Sequence, residues 1–347
     1  MSWTRYWFTK LVIVNLVLVF VVIAAGAIVR ATGSGMGCPD WPTCFGKLIP
    51  PTHIDQVTWF PDQSFVEGEM IIREEKLLVA VADVTTGDSY VGDNWQEYEK
   101  HDYAIFNPLH TWVEFINRLA TVVLGFPVML MFALSFFYWK EKKLNITLSG
   151  LVVFLIGFQA WLGKIVVDRN LQGTTITYHM IGVFLILAVL IWLWHLNNEK
   201  ENRDKYLVTT AFKGVVLGSV LITLLMVVLG TQVREEIDLI AKTTQDRSLW
   251  IDQLSNMFII HRSTTWLVLI VNGWLLYKSF KENWFKIKMV RIAALIFLEI
   301  ALGIILSYLN VPALSQPIHL FVAALIFAYQ FDLWLSARKA INISTAT

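Results

Sequence analysis

Residues 11–30 of the 347-residue chain read LVIVNLVLVFVVIAAGAIVR, a run of nineteen uncharged residues that ends at Arg30. A helix needs about 20 apolar residues to cross a bilayer, so this run predicts a membrane-spanning helix. Arg5 and Lys10 precede it and no small-residue cleavage site follows, so we expect a retained signal anchor. Seven other segments have comparable length and apolarity: about 110–138, 146–167, 176–197, 208–233, 258–280, 287–309 and 315–337.

The composition of the whole chain supports this prediction. The chain is 56% hydrophobic and 16% charged, with a mean hydropathy of +0.57, whereas soluble domains carry about 25% charged residues. Its 15 tryptophans and 10 tyrosines are typical of aromatic belts at the two bilayer surfaces. The net charge of +1 gives no indication of nucleic-acid binding, because the charges are segregated along the chain. We therefore predict an all-α integral membrane protein with eight transmembrane helices.

The charged residues between the predicted spans fall on two sides. The loops after the second, fourth and sixth spans and the C-terminal end are basic, whereas the loops after the first and fifth spans are acidic. By the positive-inside rule, we expect both termini in the cytoplasm. We expect a multi-pass protein of the cell (inner) membrane. The basic residues are Lys140, Lys142, Lys143, Lys200, Arg203, Lys205, Lys278, Lys281, Lys286, Lys288, Arg291, Arg338 and Lys339, and the acidic ones are Asp62, Glu67, Glu69, Glu74, Glu75, Asp93, Glu97, Glu99, Glu235, Glu236 and Asp238.

One long segment, about 31–108, lies outside the predicted spans. Within it, Met70–Val91 mixes β-branched and charged residues and contains the turn signal Thr86-Gly87-Asp88, so a small hairpin outside the membrane is one expectation. An irregular outer lid is the alternative.

The two halves of the chain carry the same markers in the same order. In both halves a Leu-Gly pair stands sixteen residues before a histidine. Each half has four helices that start inside, so the repeat is parallel. It predicts two pseudo-symmetric four-helix bundles, residues 1–200 with the long outer loop and residues 201–347. The matching markers are Gly26-Ala-Ile-Val-Arg30 with Gly230-Thr-Gln-Val-Arg234, Asn117-Arg118 with His261-Arg262, Leu162-Gly163 with Leu302-Gly303, and His179 with His319.

Histidines lie early in the spans that run from outside to inside. They are His110, His179, His261 and His319. A ligating side chain inside a membrane is costly and indicates a functional site, although any one of these could instead be an interfacial, hydrogen-bonded histidine. His261 and His319 have comparable depth on two helices of one half, as two imidazoles need to bind haem iron from both faces. Their counterparts in the first half are Asn117 and His179.

Four arginines near the predicted outer surface are candidates for binding haem propionates, because a guanidinium pairs with a carboxylate through two hydrogen bonds. The alternative is snorkelling to the interface. Snorkelling is the stronger alternative for Arg30 and Arg234, because we expect these two at helix ends. The four are Arg118, Arg262, Arg30 and Arg234, of which the last two are at the predicted ends.

Glu114 is an unusual carboxylate for a membrane span. It lies one turn after His110 and one turn before Asn117 and Arg118, on one helix face. A buried carboxylate beside a haem could move protons or position water, and a plain ion pair with Arg118 is the alternative. We assign no site role to His53, His101 and His195, and we expect Glu299 to make a structural hydrogen bond between helices.

Several motifs resemble the haem A synthase family. The segment Gly33-Ser-Gly-Met-Gly-Cys-Pro-Asp-Trp-Pro-Thr-Cys-Phe-Gly46 is similar to the first outer loop of that family, and Glu114-Phe-Ile-Asn-Arg118 resembles its Glu-x-x-His-Arg motif. His179, His261-Arg262 and His319 fall at its other haem-ligand positions. The resemblance covers essentially the whole chain outside 50–107.

This resemblance implies a reaction and a cofactor. His261 and His319 would be the axial ligands of a haem b cofactor, and Glu114 and His179 would belong to the site of the substrate, haem O. The enzyme would be an oxidoreductase that converts the C8 methyl group of haem O, through an alcohol, to the formyl group of haem A for terminal oxidases. Its partners would be membrane lipid, the haem O synthase and an electron-donor protein.

Asn117 departs from the family motif, which has histidine there. Because asparagine is a poor ligand for haem iron, His179 would bind the substrate iron alone. Alternatively His110, on the same helix face, would replace the missing ligand if the haem lies about 10 Å nearer the surface. Cys38 and Cys44, the only cysteines, lie on the oxidising side, where a disulfide is reasonable and a metal site is the weaker alternative.

Two other functions fit parts of the pattern. A di-haem b-type electron-transfer cytochrome would need matched ligand pairs, which Asn117 and Glu114 break. A transporter with parallel repeats would place its polar site at mid-membrane, whereas these markers gather in the outer leaflet. The sequence therefore favours haem A synthase over both.

Overall fold

Eight helices dominate the structure, a computed structural model that describes residues 3–138, 142–198 and 207–342. Each helix coincides with one predicted span, so the helical part of the fold prediction is confirmed. The helices are α1, Trp3–Ala31; α2, Pro108–Ser135; α3, Lys143–Asp168; α4, Gly173–Asn197; α5, Thr210–Thr243; α6, Asn256–Lys281; α7, Lys286–Tyr308; and α8, Ser315–Lys339.

Seven of the eight helices are long and apolar enough to cross a membrane by themselves. The remaining one, α6, meets this criterion only together with the short helical segment Arg247–Gln253, from which it is bent by 81°. Its first turns contain the polar run His261-Arg262-Ser-Thr-Thr265, which explains the lower apolarity. The described residues are thus those of a multi-pass membrane protein.

Helix α5 is longer than the sequence predicts. We expected the span to end near Arg234 and the acidic residues up to Asp238 to lie in a loop, which is wrong, because the helix continues to Thr243. Residues 235–242 are mostly good helix formers, and Arg234 pairs with Asp238 one turn later at 2.7 Å. Apolar side chains of this extension pack around Trp250, so tertiary contacts stabilise the added turns.

Contacts between the helices repeat along the chain. α1 and α3 each contact α2 and α4, and α5 and α7 each contact α6 and α8. These sets of helices meet where α1 and α4 contact α8 and where α4 contacts α5. At the last of these contacts, the carboxylate of Glu235 lies against Gly173 at the start of α4, where a Cβ atom would not fit. A carboxylate in this position also stabilises the positive end of the helix dipole.

The segment between α1 and α2 contains short strands. The predicted hairpin is confirmed, because β2 pairs antiparallel with β3, and β5 adds to the other edge of β3. Its turn is not the predicted Thr86-Gly87-Asp88 but Glu74-Glu75, whose two residues both have positive φ, as a type I′ turn requires. The strands are β1, Ser64–Phe65; β2, Met70–Arg73; β3, Lys76–Ala80; β4, Val84–Thr85; and β5, Trp95–Glu97.

Asp332 of α8 links helices at the ends opposite to this segment. Lys288 Nζ of α7 lies 2.8 Å from its carboxylate, and Nδ1 of the buried His195 of α4 lies 3.6 Å from it. His195 therefore belongs to the packing of α4 against α8. Four of the basic residues on which the predicted orientation depends, Lys140, Lys200, Arg203 and Lys205, lie outside the described residues.

Candidate functional site

A cavity of about 1520 Å³ lies among the helices. All eight helices contribute to its wall, and it is larger than the roughly 300–1,000 Å³ of pockets that hold ordinary small ligands. His179, His261 and His319 line it, together with Asn117 and Glu114. The structure thus brings most of the predicted site residues to one place.

Each of the three cavity histidines packs against a glycine of the neighbouring helix. A Cβ atom at any of these glycines would touch the imidazole ring, and a longer side chain would displace it. The glycines therefore make room for the rings and fix their positions. The distances from that Cβ position to the histidine Cε1 atom are 3.7 Å for Gly163 and His179, 3.4 Å for Gly230 and His261, and 3.7 Å for Gly303 and His319.

Asn117 occupies a fourth position of the same kind. Its Oδ1 atom lies 3.7 Å from the Cβ position of Gly26. The pattern therefore occurs on the helix pairs α1–α2, α3–α4, α5–α6 and α7–α8. The glycines, the arginines, the histidines and Asn117 that mark the internal repeat line the cavity, and one of the four positions holds an amide instead of an imidazole.

In each of the three cavity histidines, one imidazole nitrogen, Nδ1, is buried in the protein. The Nδ1 atoms of His179, His261 and His319 are buried and have no aligned hydrogen-bond partner in the part of the chain that the structure describes. Nδ1 of His319 nevertheless approaches the Glu299 carboxylate to 3.2 Å. Burial of Nδ1 leaves Nε2 as the nitrogen that can reach the cavity, which is the arrangement that a haem-binding histidine needs. The residues present thus fit a haem.

His110 lies apart from this group. Within the described residues, it does not belong to the cavity wall. It stands in the first turn of α2, where its backbone carbonyl packs so closely on Gly37 that a Cβ atom would not fit there. The hypothesis that His110 replaces the ligand missing at Asn117 therefore gains no support.

Arg30 and Arg234 share one acidic partner. Arg30 Nη2 lies 3.1 Å from Asp238 Oδ2, and Arg234 Nη1 lies 2.7 Å from Asp238 Oδ1. Arg234 also donates to the Arg30 carbonyl at 3.1 Å. All three residues line the cavity. Two positive charges against one negative charge leave this part of the wall attractive to an anionic group.

Two more arginines line the cavity near the C-terminal histidines. Arg262, a predicted site residue, donates to the Tyr308 hydroxyl at 3.2 Å. Arg247 donates to the Val311 carbonyl at 3.3 Å. Sequence reasoning missed Arg247, Tyr308 and Asp238, because each lies in a segment that we expected to be a loop or a helix end.

Glu114 and Arg118 hold the loop that follows α1. Glu114 is 4% exposed, and its Oε2 accepts the Cys38 N–H at 2.8 Å while Oε1 accepts from Arg118. Arg118 also donates to the carbonyls of Asp40, Thr43 and Cys38 at 2.6, 2.8 and 3.0 Å. With four hydrogen bonds inside the protein, Arg118 has little left for a propionate, and the ion pair that we considered as the alternative role of Glu114 is present.

The loop itself is closed by a disulfide between Cys38 and Cys44, as expected. Inside it, the Asp40 carboxylate accepts the N–H groups of Phe45 and Gly46. Tyr98 of the outer segment donates to the Pro39 carbonyl at 3.3 Å. Burial raises the pKa of Tyr98 to about 12, so its hydroxyl stays protonated and keeps donating at neutral pH. The loop is therefore a well-bonded cover beside the cavity.

The sequence profile of the COX15-CtaA family, described as cytochrome oxidase assembly protein, matches residues 9–76 and 93–331. The chain belongs to this family. The residues left unmatched between these ranges, 77–92, lie in the outer segment between α1 and α2. The match includes most or all of each of the eight helices and every cavity residue discussed above.

Two individual relatives support this assignment, although each is similar to only about half of the chain. The haem A synthase of Shewanella oneidensis is 26% identical over 186 residues, which cover 54% of this chain and 44% of that protein. The haem A synthase of Shouchella clausii is 26% identical over 203 residues, which cover 57% of this chain and 50% of that protein. The chain thus spans about half the length of the relatives that it matches.

Proposed function

We propose that the protein is a haem A synthase, which oxidises the C8 methyl group of haem O, through an alcohol, to the formyl group of haem A. One observation carries this proposal: a single cavity contains four glycine-backed positions, of which three hold histidine and one holds asparagine. Membership of a cytochrome oxidase assembly family and the names of the relatives support the choice of substrate.

In this proposal, the chain forms two pseudo-symmetric four-helix bundles, residues 1–200 and residues 201–347. His261 and His319 bind the iron of a haem b cofactor in the second bundle, and this haem supplies one-electron transfer when bound. The buried Nδ1 atoms and the glycines behind both rings support the assignment. Arg262, which follows His261 in the chain, also lines the cavity and is a candidate for a propionate contact there.

The substrate binds in the first bundle, with His179 as its iron ligand. Asn117 occupies the position that is equivalent to His261 and offers no strong ligand for iron. This favours a haem that binds, reacts and is released. The same asymmetry argues against a di-haem electron-transfer cytochrome. Arg30 and Arg234 attract the propionates of the substrate through their surplus positive charge. Arg118 serves the cover loop instead.

Glu114 is the proposed catalytic carboxylate. It lines the cavity and at the same time binds the N–H of Cys38. It is therefore placed to hold the disulfide loop beside the substrate and to accept or deliver a proton there. A variant without this carboxylate should lose both roles.

The protein is proposed to lie in the cell (inner) membrane with both termini in the cytoplasm, because the described basic residues between spans cluster at one set of helix ends. The cavity arginines then lie at the outer side. Haem O synthase would supply the substrate through the membrane, and an electron-donor protein would act on the haem b.

Co-expression with a source of haem O tests the proposed function. Cells with the wild-type protein should contain haem A after pigment extraction and mass spectrometry. Glu114→Ala should lower its amount by about 10²-fold or more, the usual effect of removing an acid–base group. His53→Ala, in the outer segment, is the control and should leave haem A unchanged. Accumulation of unmodified haem O alone, with well-expressed wild-type protein, would contradict the proposal.

A further inference from the structure

A gap separates α2 and α3 at one level of the helix pair. Further inward, a Cβ atom at Gly150 would lie 3.2 Å from the Phe132 ring, so the helices touch there. Seven residues nearer the outer ends, Gly125 and Gly157 occupy the same helix faces, because seven residues make about two turns. Nothing in the described parts of the chain lies within 4 Å of a Cβ atom at either glycine. The two helices therefore make no contact through these two glycines, and Gly157 is exposed.

This gap adjoins the cavity. Val122, one turn before Gly125, lines the cavity and is nevertheless 56% exposed. Ala160, one turn after Gly157, lines it as well. Gly157 precedes Gly163, the glycine behind His179, by six residues, which is about 9 Å along the helix. A ligand whose iron lies at His179 thus has the gap on its inward side, away from the arginines.

Gln159 lies on α3 between the gap and the histidine level. It borders the cavity and is 6% exposed. Neither its amide nitrogen nor its amide oxygen has a hydrogen-bond partner among the described residues. Its amide packs on Gly182 of α4, where a Cβ atom would not fit. Because a buried amide without a partner costs free energy, we expect it to turn toward a polar group of a bound ligand.

The second half differs at each of these positions. In the repeat, larger side chains replace the two glycines of the gap, and a carboxylate replaces the free amide. That carboxylate is already directed at His319, from which it lies 3.2 Å. The gap and the unpartnered amide are therefore features of the first half. The replacements are Trp266 for Val122, Leu269 for Gly125, Phe297 for Gly157, Glu299 for Gln159 and Val322 for Gly182.

We propose that the gap and Gln159 form the binding site for the hydroxyethylfarnesyl side chain of haem O, an inference that rests on the proposed function. This side chain replaces one vinyl group of haem b and consists of a hydroxyl-bearing carbon followed by an isoprenoid chain. The gap takes the isoprenoid chain, which is as apolar as the lipid beside it. Gln159 hydrogen-bonds the hydroxyl at its root. Haem b has neither group, and the second half has neither the two glycines nor the free amide.

Equilibrium binding with two probes tests this site. The purified protein, with its resident haem in place, is titrated with haem O and separately with haem b, and binding is followed by absorbance. Wild type should bind haem O at least tenfold more tightly than added haem b. Gly157→Phe and Gly125→Leu, each of which introduces the residue of the second half, should weaken haem O binding at least tenfold and change binding of added haem b less than twofold.

Two further variants complete the test. Gln159→Leu should weaken haem O binding several-fold without affecting haem b. Gly273→Phe is the matched control, because Gly273 is exposed on α6 with nothing within 4 Å of its Cβ position among the described residues, and it should bind both haems as wild type does. The resident haem content checks that each variant is folded. If Gly157→Phe loses that haem, Gly157→Val gives the same comparison with a smaller side chain.

Equal affinity of the wild type for both haems, or unchanged haem O binding in the glycine variants, would overturn the inference. These titrations involve no turnover. Failure of the proposed function appears instead as absence of haem A in cells with the wild-type protein, so the two failures are distinguishable.

Discussion

His261 and His319 form a pair of imidazoles backed by Gly230 and Gly303, whereas the matching positions of the first half combine His179 with the amide of Asn117. The backing glycines are the same in both halves. At these four positions the difference is one side chain, the amide of Asn117. Under the proposed function, one helical frame would bind a haem permanently in one half and in passing in the other, depending on a second strong ligand and on the side chains between neighbouring helices.

Removing the imidazoles of the second half should have the largest effect. His261→Ala or His319→Ala should abolish the low-spin bis-histidine spectrum of copurified haem b, because a single remaining ligand does not saturate the iron. His179→Ala is the matched control, since it removes the imidazole of the equivalent position in the first half, and it should leave that spectrum intact. An unchanged spectrum in both His261→Ala and His319→Ala would refute the assignment of the cofactor site.

Restoring the missing imidazole should make the first half resemble the second. Asn117→His places a second ring over Gly26, so haem O bound there should show a low-spin bis-histidine spectrum. Its dissociation rate should fall by about tenfold. Haem A production should be retained, because the motif of the haem A synthase family has histidine at this position. Ile116→His, on the exposed face of the same turn, is the control. If Asn117→His leaves the spectrum of bound haem O unchanged, Asn117 does not face the iron.

The helices and the repeat were predictable from the sequence for physical reasons. Lipid requires about 20 apolar residues per span, so hydropathy shows the helices directly. The Leu-Gly and histidine markers recur because each ring needs a residue without a side chain opposite it, as Gly163 and His179 show. The sequence could suggest that these positions matter, but only the structure gives the contact that explains the spacing.

The errors arise where three-dimensional contacts override local signals. The acidic run after Arg234 suggested a loop, yet pairing with Asp238 and packing around Trp250 extend the helix into the polar region. From the sequence, Arg118 was a candidate for binding a propionate. Its actual partners are backbone carbonyls of a distant loop, which no sequence pattern indicates. The hairpin turn at Glu74-Glu75 lacks the glycine or asparagine that usually signals such a turn.

The smallest predicted effect concerns Glu299, for which we expected only a structural hydrogen bond. Its carboxylate lies 3.2 Å from Nδ1 of His319 without an aligned hydrogen bond. A carboxylate that accepts from an axial histidine when haem is bound would make the ring a stronger donor to iron, which lowers the reduction potential of the haem. The first half has the neutral Gln159 at the equivalent position.

Glu299→Gln should therefore raise the reduction potential of the resident haem b by roughly 50–100 mV if the carboxyl group is ionised in the haem-bound protein, because a hydrogen bond to a charged group exceeds a neutral one by about 1–2 kcal/mol and 59 mV corresponds to a factor of ten for one electron. A redox titration of the purified protein measures this shift. Glu282→Gln, which removes a carboxylate just after α6, is the control and should leave the potential where it is. A Glu299→Gln protein that keeps both the bis-histidine spectrum and the wild-type potential would show that the carboxylate only packs beside the ring, and the contrast between the halves would then rest on the iron ligands and the gap alone.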